Sequence, residues 1–236
     1  MKTRGGSEDA KRRAAEAAVE AVEDGMVVGL GTGSTTAYAI EAIGGAVADG
    51  LAVRGIPTSF QARRLAIEVD IPLTSLDAVD RVDLAIDGAD QVATRDEGST
   101  AGTTLIKGGG GAQAREKVLA AAADRFLVVV DDSKLAEVVD HQVPVEVLPA
   151  AHSVVADRIC ALGGEAALRT AECKDGPVVT DNGNLLIGCD FGEVAEPGAL
   201  AASLSAIPGV VEHGLFVDLA NAVYVGFDDG VERREY

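Results

Sequence analysis

Through the first half of the chain, short apolar runs alternate with longer stretches in which apolar residues recur every three or four places. The first such stretch follows Ser7, which predicts an N-capped helix through AKRRAAEAAVEAVED, stopped at Gly25, with Ala14, Ala18, Ala21 and Val22 on one face. MVVGLG (26–31), LAVRGIPTS, IPLTSL, VDLAID (82–87), TTLIK and RFLVVVDDSK read as strands and connecting loops. Between them TAYAIEAIGGAV, FQARRLAIEV and AQAREKVLAAAA read as helices. Strands this short and this uniformly apolar, separated by helices, imply a parallel sheet covered on both faces. The expected fold is therefore α/β: a Rossmann-like, open, mainly parallel sheet with flanking helices.

Beyond about residue 135 the pattern changes. VPVEVLP is strand-like, AAHSVVADRICALGG is helical, EAALRT and PVVTDNGNLLIGCDF resemble antiparallel strands turning at Asn182 and Gly183, and PGALAASLSAI is a further helix. These elements predict a small α+β (ferredoxin-like) subdomain over 140–207, with 1–139 and 208–236 forming the main domain. GVVEHGLFV and NAVYVGFDDG are expected to return as strands to the main sheet, and the polar stretch QVATRDEGSTAG (91–102) to be an exposed excursion.

Composition narrows the functional classes. Of 236 residues, 38 are acidic and 20 basic, for a formal net charge of −18, which disfavours nucleic acid and anionic membrane surfaces as partners. The acids are scattered rather than gathered in a tail, so a surface adapted to high salt is the preferred account. An anionic substrate would then need locally placed cations, which makes each lysine a candidate ligand. Cys160, Cys173 and Cys189 lack CxxC spacing and read as buried reduced thiols. With no signal-like N-terminus and no long apolar run, a soluble, cytoplasmic protein is expected.

The candidate chemistry sits in loops at strand ends. TLIKGGGGAQAREK (104–117) places Lys107, four glycines (Gly108, Gly109, Gly110 and Gly111) and Glu116 between a strand and a helix. Backbone without Cβ atoms, followed by a helix N-terminus, makes a nest for an anion, with Glu116 about one turn into the helix. GLGTGSTT follows a strand and opens a helix, yet Ser34 stands where the third glycine of a dinucleotide fingerprint belongs. Thr32, Gly33, Ser34, Thr35 and Thr36 instead suit a phosphate monoester, although N-capping by Ser34 or Thr35 would use the same residues. In DGAD, Asp87 and Asp90 flank Gly88 and Ala89, and could bind a metal, relay protons, grip sugar hydroxyls or form an Asx turn. The scattered histidines, His141, His152 and His213, offer no zinc spacing, so no metal site is expected.

GLGTGSTT, IDGAD, IKGGGGAQAREK, DDSK, VPVEVLP, TDNGN and IPGVVEHGLF occur in the order found in type A ribose-5-phosphate isomerases, and the sequence resembles that family over nearly its whole length. The resemblance implies interconversion of D-ribose 5-phosphate and D-ribulose 5-phosphate in the pentose phosphate pathway, without metal or organic cofactor, in a homodimer or homotetramer. It implies Glu116 as proton acceptor, with substrate contacts at Thr32 to Thr35, Asp87 to Asp90, Lys107 to Gly110, and Lys134. Lys11 is a weaker phosphate candidate. Two departures stand out: Gln91 where the family often has Glu, and a long segment between DGAD and KGGGG. Other readings are a sugar-phosphate sensor, for which no basic DNA-binding module is visible, and an acyl- or CoA-transferase using a glutamate nucleophile.

Overall fold

A computed structural model describes residues 6–94, 102–172 and 175–236. Its chain divides into two compact units, one comprising residues 6–89 with Arg115–Leu135 and Leu219–Tyr236, the other comprising Asp90–Ala114 and Ala136–Asp218. These borders do not coincide with the expected ones at 139/140 and 207/208. Strand pairing explains the difference, because residues of the glycine-bearing segment pair with a strand just past 213 rather than with the main sheet.

In the first unit, α1 (Glu8–Val19) starts as the sequence predicts, with Ser7 accepting from the Ala10 N–H at 3.4 Å and Glu8 and Asp9 in the first turn. Its buried alanines let it lie close on the sheet. A Cβ on Gly226 would fall 1.9 Å from the Ala10 carbonyl oxygen, so glycine is needed there. The strands β1 (Val27–Leu30), β2 (Arg54–Pro57) and β3 (Leu84–Asp87) alternate with α2 (Ser34–Ala48) and α3 (Phe60–Glu68). IPLTSL contributes only a single bridge, from Leu73 to Gly55.

The other unit opens with β4 (Gln91–Thr94) and β5 (Thr103–Ile106), an antiparallel pair. The expected excursion at 91–102 thus begins as a largely buried strand, while 95–101 lie outside the described residues. Next comes α4 (Gln113–Ala122), which carries the chain back to the first unit and β6 (Phe126–Asp131), a strand buried at every position. The two-residue β7 (Leu135–Ala136) follows.

β8 (Val143–Val147), α5 (His152–Ala161), β9 (Glu165–Leu168), β10 (Leu185–Asp190), α6 (Pro197–Ser205) and β11 (Val210–His213) form the expected ferredoxin-like βαββαβ arrangement. Their sheet has the order β11-β8-β10-β9 and is antiparallel throughout. Val145, Val147, Val155, Ile159, Ile187 and Leu204 fill its core. β12 (Leu215–Val217) pairs with β5, so GVVEHGLFV does not return to the main sheet as its apolar pattern suggests. Only β13 (Ala222–Gly226) and β14 (Val231–Glu235) do so.

The completed main sheet runs β14-β13-β6-β3-β1-β2, parallel except for β14. VERRE on β14 puts charge along one edge and Pro57 sits on the other, both of which discourage strand addition. Of the cysteines, Cys189 is buried as expected; Cys160 is exposed on α5, and Cys173 lies outside the described residues.

Candidate active site

β1 and β3 are neighbours in the main sheet, and the chain leaves β1 toward β2 on the other side. That reversal makes a crevice outside their carboxyl ends, where open α/β sheets hold ligands. Asp87, the last residue of β3, is 3% exposed and accepts two backbone hydrogen bonds at Oδ1, from Thr32 at 3.0 Å and Gly88 at 2.7 Å. Gly31 permits this approach, since a Cβ there would lie 2.1 Å from the Asp87 carboxyl carbon. Thr32 Oγ1 in turn bonds the hydroxyls of Thr58 at 2.8 Å and Ser59 at 2.7 Å, just beyond β2. Those two hydroxyls escaped sequence reasoning, because LAVRGIPTS carries no spacing that marks them.

At the start of α2 neither Ser34 nor Thr35 caps the helix. Gly33 is the N-cap, at φ 136°, and no side chain closes the first turn, so its N–H donors are open to an anion. Ser34 is exposed, while Thr35 and Thr36 are buried. Past β6, Lys134 is 8% exposed in a short 3-10 turn capped by Asp131, which accepts from the Ser133 N–H at 3.0 Å and from the Ser133 hydroxyl. Lys11 is paired with Glu8 at 2.8 Å. Glu116 lies in the first turn of α4 and is 4% exposed.

The remaining predicted residues belong to the other unit. Asp90 donates its N–H to the Ile106 carbonyl at 2.7 Å, and its Oδ2 accepts from the Gly109 N–H at 2.8 Å. Asp90 and the glycine turn are therefore joined directly. Gly108 and Gly111 have φ of 92° and 78°, the left-handed region, and a hydrogen bond from Gly111 N–H to Gly108 oxygen closes the turn at 2.9 Å. Gly110 is its exposed residue. Lys107 is 2% exposed; its ammonium lies 5.4 Å from the centre of the Phe216 ring.

Arg169 was not foreseen, being 60 residues from the glycines, yet its Nη1 donates to the Gly109 carbonyl at 2.6 Å. Burial lowers its proton affinity below the usual arginine range, an effect opposed by the Asp90 carboxylate. TDNGN has a supporting role: Thr180, Asn182 and Asn184 donate to the fully buried Glu146 of β8 at 2.7, 3.0 and 2.9 Å.

Buried carboxylates and lysines, set in loops with open backbone donors at the carboxyl ends of strands, are the equipment of an α/β acid–base enzyme. Similarity to known proteins makes this specific. The profile of ribose 5-phosphate isomerase A (phosphoriboisomerase A) matches residues 54–230, and the chain belongs to that family. It is 62% identical to ribose-5-phosphate isomerase A of Natronomonas pharaonis, over 99% of this chain and 100% of the relative. A solved ribose 5-phosphate isomerase A from Methanocaldococcus jannaschii is 43% identical, covers 98% of this chain and 100% of its own, and superposes with a TM-score of 0.91. Another solved D-ribose-5-phosphate isomerase, in complex with phospho-erythronic acid, is 42% identical over 98% of this chain and 100% of its own, also with a TM-score of 0.91.

Proposed function

We propose that this protein interconverts D-ribose 5-phosphate and D-ribulose 5-phosphate in the non-oxidative branch of the pentose phosphate pathway. The observation that carries the reading is the stretch from Lys107 to Glu116. It joins a lysine at 2% exposure to a carboxylate at 4% through four glycines. Aldose–ketose isomerisation moves a proton between C1 and C2 through an enediolate, which requires a carboxylate base and donors for the developing oxyanion.

Glu116 is the base that takes the proton from one carbon and returns it to the other. Lys107 and the N–H groups of Gly108, Gly109 and Gly110 hold the oxyanion. Asp87 and Asp90 orient sugar hydroxyls, assist ring opening and pass a proton between oxygens. The phosphate is held by Thr32 to Thr35 at the start of α2 together with Lys134, and its binding energy serves to position the reacting carbons. Among the described residues no helix is long and apolar enough to cross a membrane; the working state we infer is a cytoplasmic homodimer or homotetramer.

The test is conversion of ribose 5-phosphate to ribulose 5-phosphate in chelator and multimolar KCl. An inactive wild-type protein would sink the reading. A minor or no difference between ribose 5-phosphate and free ribose would sink the phosphate assignment.

A further inference from the structure

Gly109 is held from both sides by side chains of opposite charge. Its N–H donates to Asp90 at 2.8 Å, and its carbonyl accepts from Arg169 at 2.6 Å. A Cβ on Gly109 would meet Asp90 Oδ2 at 2.7 Å, so any larger residue there would push this carboxylate off the Gly109 N–H. The backbone of Arg169 is itself fixed, its N–H donating to the Leu186 carbonyl and its carbonyl accepting from the Val178 N–H, each at 2.8 Å. The second terminal nitrogen, Nη2, is shielded from water and has no hydrogen-bond partner among the described residues. Half-burying a guanidinium with so few polar ties is an expensive way to stabilise a fold, which an apolar side chain of similar length would serve better.

A trans peptide points its C=O and N–H in opposite directions. Fixing the Gly109 oxygen on Arg169 therefore fixes the direction of the Gly110 N–H, which faces away from the guanidinium at the exposed tip of the turn. Without that tie, the Gly109–Gly110 peptide, flanked by residues with no Cβ, could rotate at little steric cost.

We propose that Arg169 is a positioning residue for the isomerisation: it locks the Gly109–Gly110 peptide so that the Gly110 N–H stands ready for the enediolate oxygen. The proposal rests on the isomerase reading above. It predicts a defect in turnover rather than in substrate capture, because the donor matters most when charge develops.

The experiment compares wild type, Arg169→Gln and Arg169→Ala in the ribose 5-phosphate assay, with thermal midpoints measured alongside. Arg169→Gln is expected to lose roughly 10- to 100-fold in kcat, less than the ~10²–10³-fold for a deleted oxyanion donor because the N–H is misaimed rather than removed, while KM moves less than about threefold. For Arg169→Ala, tens of millimolar guanidinium chloride should restore part of the lost kcat, and the same concentration of potassium chloride should not. A kcat within about twofold of wild type, or a loss confined to KM, would overturn the proposal. So would a loss in Arg169→Ala that follows its thermal midpoint and resists guanidinium. An active wild type with unaffected variants removes only the role of Arg169; an inactive wild type removes the isomerase reading and this proposal with it.

Discussion

The Thr32 N–H and the Asp87 carboxylate meet at 3.0 Å across the carboxyl ends of β1 and β3, 55 residues apart in sequence. One oxygen of Asp87 is thus committed to backbone donors, from Thr32 and from Gly88. Asp87→Ala would strand both N–H groups and should destabilise the protein by ~1–3 kcal/mol for each donor left buried. Asp87→Asn keeps an acceptor for them and should hold near wild-type stability while kcat/KM falls. Urea midpoints together with kinetics separate these outcomes; equal stability of the two variants would refute the structural half.

Glu116→Gln should retain affinity for ribose 5-phosphate and lose ~10²–10⁴-fold in kcat, the contribution of a general base. Titration calorimetry and initial rates on one preparation check it. A near-wild-type rate would assign the proton transfer elsewhere.

Gln91 stands where the sequence resemblance leads one to expect a glutamate, and its surroundings suit an amide. Its Nε2 donates to Asp140 Oδ1 at 2.5 Å, and its Oε1 accepts from the N–H groups of Asp140 and His141, both at 3.1 Å. Gln91→Glu would set one carboxylate against another and should cost ~1–3 kcal/mol at neutral pH. Protonation restores a donor, so the penalty should fade as pH drops toward the carboxylate range near pH ~4. A urea midpoint shift that is the same at neutral and acid pH would count against this account.

Cys189 is buried, and burial pushes its thiol up to about 12 from an ordinary 9.0. At pH 8 a thiol alkylator should modify the exposed Cys160 and leave Cys189 untouched until the protein unfolds, as peptide mass spectrometry would read. Between pH 9 and 12 the unfolded chain gives up a proton that the folded chain keeps, so this thiol favours unfolding progressively as pH rises through that window. Native-state labelling of Cys189 would show that the core around it opens.

With a formal charge of −18, self-repulsion should lower stability in dilute buffer and diminish as the screening length falls from ~30 Å at 0.01 M salt to ~3 Å at 1 M. The thermal midpoint should rise over that range of KCl. A flat profile would separate the acidic composition from any adaptation to salt.

Periodicity made the α/β sheet and the ferredoxin-like segment legible, because their strands and helices have distinct spacings and clear stops. It misplaced GVVEHGLFV, since an apolar run reveals burial but not which sheet receives it. QVAT at the start of the excursion was hidden by the polar residues that follow it. In the candidate site, the loops were visible through glycines and paired acids packed into a few residues. Arg169, Thr58 and Ser59 were not, because each acts on a loop distant in sequence and sits in an ordinary local context.

The order of the main sheet also bears on how the chain comes to be folded. β6, buried at all six positions, takes its outer neighbour from β13, which begins only at Ala222. A nascent or truncated chain ending before that point carries FLVVVD with one side unpaired, a template for adding a strand from another molecule. The charged β14, which covers the outer side of β13, is the last element in the sequence and so the last to be synthesised. Loss of a short C-terminal piece should therefore appear as aggregation during synthesis rather than as a modest drop in activity.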